Sequence, residues 1–148
     1  MTTLFAFLHH LAAFTLVAAL AVEFVLIRQE LTLATARRLV IVDSVLGASA
    51  GTLLVAGLLR VFFFEKGAAY YFSSHAFLGK LGLFIVIALV SIVPTVEFLR
   101  WRKSVKAGQV PAVSARKLVT IRKIIHWELA GIVFILLFAA MMAKGGWV

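Results

Sequence analysis

Four apolar runs, at about residues 4–27, 39–64, 76–99 and 124–143, set what this chain can fold into. Each reaches the roughly 20 residues that an α-helix needs to cross a hydrocarbon core about 30 Å thick. None alternates polar and apolar side chains with the period of two that a membrane β-barrel strand requires. The pattern predicts an all-α fold: a polytopic membrane protein forming a four-transmembrane-helix bundle, with residues 1–148 as one domain. Composition agrees, since 64% of the residues are hydrophobic and 14% charged, where soluble domains average about 45–50% and about 25%. Little chain is left for a separate soluble domain, so any chemistry is expected in or at the bilayer.

No cysteine is present, which excludes disulfides, thiolate metal sites and thiol nucleophiles. A net charge of +9 would raise the question of nucleic acid in a soluble protein. Here the basic residues cluster between apolar runs, so topology explains them and no nucleic-acid partner is expected. Arg28, Arg37, Arg38, Arg100, Arg102 and Arg122 follow the first or third run, with Lys103, Lys106, Arg116, Lys117 and Lys123 alongside. Arg60, Lys66 and Lys144 lie on the other side. This asymmetry predicts both termini outside and the two basic loops in the cytoplasm. The first run has no Lys or Arg before Arg28, unlike a signal peptide, and is expected to be kept as a helix. Residues 101–120, with Gly108 and Pro111, read as a surface loop that could meet anionic membrane lipid.

Small residues at Gly47 and Gly51, beside Ser44 and Ala48, predict close helix packing within the bundle or between copies. Pro94 is expected to kink the third span next to Ser91 and Thr95, a hint of an internal polar spot.

Ionisable groups at membrane depth cost about 2.5–3.5 kcal/mol each on insertion scales, so each needs a partner or a purpose. His9, His10 and Lys80 fall at one level on the outer side, and His75 lies about 7 Å nearer the surface at 1.5 Å rise per residue. Two nitrogen ligands on facing helices are what a haem iron needs, and Ala12, Ala13, Gly79 and Gly82 would leave room for a macrocycle. The simpler alternative is a hydrogen-bonded histidine and a lysine that snorkels. A zinc or copper site of His9, His10 and His75 is hampered because adjacent helical residues point about 100° apart. Tyr70, Tyr71 and Phe72 read as an interfacial belt that could also shield a porphyrin edge.

On the cytoplasmic side, Asp43 and Glu97 are expected to pair with Arg37, Arg38 or Arg100. Glu23 and Glu128 sit deeper, and Glu23 falls within about 40° of His9 on the helical wheel, which would suit proton-coupled electron transfer.

These residues carry a resemblance. Phe7-Leu8-His9 through Leu20 resembles the first helix of the HemJ-type protoporphyrinogen oxidases, and Arg37-Arg38-Leu39 the entry to their second. Gly79-Lys80-Leu81 resembles their Lys-Leu motif, and Trp127-Glu128 with Lys144 their Asn-Glu opening and late lysine. More broadly the chain is similar to the CopD-like superfamily of small bacterial four-helix membrane proteins, most closely to an uncharacterised branch. The resemblance to small bacterial membrane proteins implies haem b held through His9, and with the charge asymmetry the expected setting is a bacterial inner membrane with periplasmic termini. It also implies functional roles for Lys80 and Glu128, and porphyrinogen oxidation with electrons passed to quinone. The chain departs from the HemJ pattern at Leu16, Glu23, Val25 and Trp127, and His10, His75 and His126 are additions that favour bis-His ligation and electron transfer.

The expected function is therefore haem b binding with redox chemistry on a porphyrin or quinone, in a homo-oligomer. His9, His10, His75 and Lys80 are the candidate ligands, and Lys80, Glu23 and Glu128 the candidate catalytic groups. Copper handling through His9, His10 and His75 is the alternative, although the only methionines are Met1, Met141 and Met142. A cofactor-free structural subunit is the third reading.

Overall fold

The computed structural model describes residues 2–64 and 68–144, and Lys66 lies outside them. In chain order the helices are α1 (Thr2–Leu26), α2 (Leu33–Leu59), the short α3 (Ala68–Phe72), α4 (His75–Lys106) and α5 (Ala115–Ala143). A π-helical turn, Arg60–Phe64, continues α2. α1, α2 with its extension, α4 and α5 are each long and apolar enough to cross a membrane. α1 packs on α2, α2 on α4, α4 on α5 and α5 back on α1, while the diagonal pairs α1/α4 and α2/α5 do not meet along their backbones among the described residues. The result is an up-and-down ring of four helices, with one end marked by the arginines of the α1–α2 and α4–α5 connections. We call this the basic end.

Helix starts follow local chemistry. Thr32, Ser74 and Ser114 each accept a hydrogen bond from the backbone N–H three residues on, at 3.2, 3.3 and 3.2 Å, capping α2, α4 and α5. Gly108, at φ 73°, takes the left-handed conformation that ends α4.

Inside the ring, Leu20, Leu39, Phe98, Ile121 and Ile125 are fully buried and Leu16 nearly so. Outward, large apolar side chains are bare: Phe14 is 76% exposed and Phe63 74% exposed. Helices that are apolar on every face are stable only where lipid replaces water around them.

Three expectations change. Residues 101–120 are not one loop, because α4 runs to Lys106 and α5 starts at Ala115. Trp101 is buried, its ring 5.0 Å from Phe98 and its Nε1 donating to Glu97 Oε1 at 3.0 Å, so packing carries the helix past the apolar run. Gly47 and Gly51 do not bring helices together within the bundle, since a Cβ at either would meet nothing within 4 Å and both lie on an exposed face of α2. The close approach falls elsewhere: a Cβ on Gly131 of α5 would stand 2.5 Å from Ile87 Cδ1 of α4. Asp43 does not pair with Arg37 or Arg38, which are exposed; it turns into the bundle. α4 passes through buried Pro94 without a break, and the neighbouring Thr95 does supply the internal polar contact.

Candidate functional site

At the end opposite the basic one, the four spanning helices part around a cavity of about 330 Å³. α1 contributes His9, His10 and Ala13; α2 and its extension contribute Leu53, Leu54, Gly57, Leu58 and Val61. α4 adds Phe77, Lys80, Leu81 and Phe84, and α5 adds Ile135, Leu136 and Ala139. The wall is apolar apart from His9, His10 and Lys80, the three groups that helical rise had put at one level. His10, Leu54 and Leu136 are exposed on the bundle surface, so the cavity opens sideways.

The half-buried ring of His9 lies against Gly57, where a Cβ would come within 3.2 Å of Cε1 and 3.3 Å of Nδ1. The absence of a side chain at Gly57 is what leaves the imidazole its place. The Leu53 carbonyl approaches the ring, and Nδ1 is buried with no hydrogen-bond partner. Across the cavity on the diagonal helix, half-buried Lys80 places Nζ 5.5 Å from the centre of the Phe77 ring. Arg60, on the π-helical turn, is close enough to act electrostatically on both His9 and Lys80. An apolar hollow with a cationic rim suits a flat apolar ligand that carries acid groups.

The other histidines differ. His10 is exposed, and its Nδ1 lies 2.7 Å from the Ala6 carbonyl, which leaves only Nε2 for another partner. His75 is the exposed first residue of α4 and does not line the cavity. Among the described residues no group of three His, Cys, Asp or Glu side chains could hold a metal ion. The rings of Tyr71 and Phe77 lie 5.3 Å apart, tilted at 54°, and with Val61 form a small separate core beside the hollow.

Glu23 and Glu128 do not line this cavity. They lie near the basic end, both buried, and Asp43 joins them from α2. Glu23 and Asp43 are in hydrogen-bonding reach of one another, and Thr95 Oγ1 donates to Asp43 Oδ1 at 3.2 Å. Glu23 Oε1 and Glu128 Oε1 are buried with no partner. Sequence proximity alone does not reveal this gathering of three carboxyls, because Asp43 lies close to the arginines Arg37 and Arg38 and an ion pair at the helix end is its simplest expectation. Glu97 behaves as expected toward Arg100, at 3.9 Å, and gains a shorter bond to Lys117 at 3.0 Å that clamps α4 to α5.

A family model described as "Predicted membrane protein (DUF2214)" matches residues 1–146. No curated protein matches the chain, and no solved structure does.

Proposed function

We propose, from the premise that the chain belongs to the DUF2214 family of predicted membrane proteins, that it binds haem b or a related porphyrin in the cavity between the four spanning helices. Its work is membrane redox chemistry: electron transfer, or HemJ-like oxidation of a porphyrinogen with a quinone as acceptor. One observation carries this reading. The His9 imidazole stands in an apolar cavity with Nδ1 buried and unpartnered. A buried polar atom without a partner costs about 1–3 kcal/mol, and a bound group that engages the ring offsets that cost.

The donor set fits such a group. His9 offers a nitrogen ligand from α1, and Lys80 on the diagonal helix offers either a second nitrogen as a neutral amine or, protonated and with Arg60, a partner for the carboxylates of a porphyrin. The hollow of about 330 Å³ sits at the lower end of the usual range of about 300–1,000 Å³ for small-molecule sites. Its sideways opening leaves a larger ring free to project toward lipid. Bound haem would supply a one-electron couple. The chain's own residues orient and shield: Gly57 leaves space for the His9 ring, while Phe77, Leu81 and Phe84 keep water out. In this reading the basic end faces the cytoplasm of a bacterium, and the cavity and both termini lie at the outer face of the inner membrane.

Titration of the detergent-solubilised protein with haem tests the reading against the copper alternative. Haem is expected to give a saturable Soret shift at one equivalent that is lost in His9→Ala, and copper(II) to bind no more tightly than to a variant lacking His9, His10 and His75. Copper binding that needs those three histidines, with no haem shift, would replace the haem reading by metal handling.

A further inference from the structure

We infer that Glu23, Asp43 and Glu128 form a site that holds transferable protons and exchanges them with water at the basic end. The inference goes beyond the cavity and does not depend on what the cavity binds. Three carboxyl side chains from α1, α2 and α5 are 1%, 5% and 3% exposed. A charged carboxylate only accepts hydrogen bonds, so a Glu23–Asp43 contact is a bond only if one of the two carries a proton. Glu23 Oε1 and Glu128 Oε1 are sealed in with no donor in reach, and buried oxygens rarely stay so without a reason. A proton shared with the Asp43 carboxyl is the smallest ligand that would satisfy Glu23, and Glu128 stands close enough to Asp43 to feel its charge.

Few other charges face the cluster. α4 brings Thr95, whose hydroxyl donates to Asp43, and Arg102, whose guanidinium acts on Asp43 while donating from Nη2 to Ser44 Oγ at 2.7 Å. One guanidinium cannot balance three charged carboxylates in a low-dielectric interior. Arg102 and Ser44 are exposed, so Asp43 is the member nearest an exit. Toward the cavity, buried Leu16, Leu20, Leu46 and Ile132 stand between the two sites along α1, α2 and α5, with Ser49 the one buried polar side chain among them on α2. His9 and Glu23 are fourteen residues apart on α1, which is about 21 Å at 1.5 Å per residue. Exchange therefore runs through the basic end: a proton leaves Asp43 for water beside Arg102 and is replaced by another from the same side.

Infrared spectroscopy of the full chain in lipid reads this directly, because the sequence has only six Asp and Glu side chains. The wild type is expected to show a carbonyl stretch of protonated carboxylic acid that shifts when H2O is replaced by D2O. The band should weaken in Glu23→Gln, in Asp43→Asn and in Glu128→Gln, and vanish in the triple variant. It should be unmoved by added NaCl or MgCl2. The three single variants read the same band separately, so a folding failure in one leaves two others to decide. Absence of the band, a band untouched by all three substitutions, or one that never exchanges with D2O would overturn the proposal. Carboxylate bands that shift with Na⁺ or Mg²⁺ would overturn it in favour of a metal cation.

Discussion

Replacing His9 with alanine is expected to lower bound haem, per mole of purified protein, by about tenfold or more, equivalent to at least about 1.4 kcal/mol of binding. The ring is half-buried in the cavity wall, its Nδ1 has no protein partner, and it faces Lys80 across the diagonal of the bundle. His10→Ala and His75→Ala are expected to retain most of the haem. His10 is exposed with Nδ1 against the Ala6 carbonyl, and His75 lies off the cavity at the start of α4. Haem content measured on the three variants side by side checks this. Full haem in His9→Ala, or loss in His75→Ala alone, would contradict the assignment of the site.

Gly57→Leu is expected to remove binding as thoroughly as loss of His9, without altering a ligand. A Cβ at this position would lie 3.2 Å from His9 Cε1, and a full leucine must displace the ring or fill the hollow it borders. Overpacking of this kind costs typically about 1–3 kcal/mol, which corresponds to roughly a 5- to 150-fold loss of affinity if it falls on the bound state. Gly82→Leu is the control, because a Cβ there meets nothing within 4 Å. Haem titration of the two variants should separate them sharply, with the Gly82 variant close to wild type. Equal affinities would mean that the hollow beside His9 is not where the ligand sits.

Much of the architecture was legible because lipid imposes a simple demand: long apolar runs, with charge pushed to their ends. The level shared by His9, His10 and Lys80 followed from helical rise alone, and the three do line one cavity. Helix ends were harder. Trp101 and Glu97 continue α4 past its apolar run through a side-chain bond and ring packing, contacts that no hydropathy window contains. The small-residue step at Gly47 and Gly51 does not serve packing within the bundle, because spacing tells that a face is smooth but not which way it points.

The carboxyl cluster left a signal that went unread. Glu23 precedes Arg28, Asp43 follows Arg38, Thr95 precedes Arg100 and Glu128 follows Lys123, each by five positions. Five residues of helix are about 7.5 Å, so these four groups stand at one depth inside a common basic belt. Proximity in sequence to arginine suggested an ion pair for Asp43. The helical phase instead turns its side chain inward, to Glu23 and Thr95.

The central claim is that the cavity beside His9 holds a porphyrin. The visible absorption spectrum of the protein purified from haem-replete cells tests it most directly. The account predicts a Soret band, with α and β bands appearing on reduction, at close to one haem per chain. A colourless protein that also takes up no haem when it is added would contradict it.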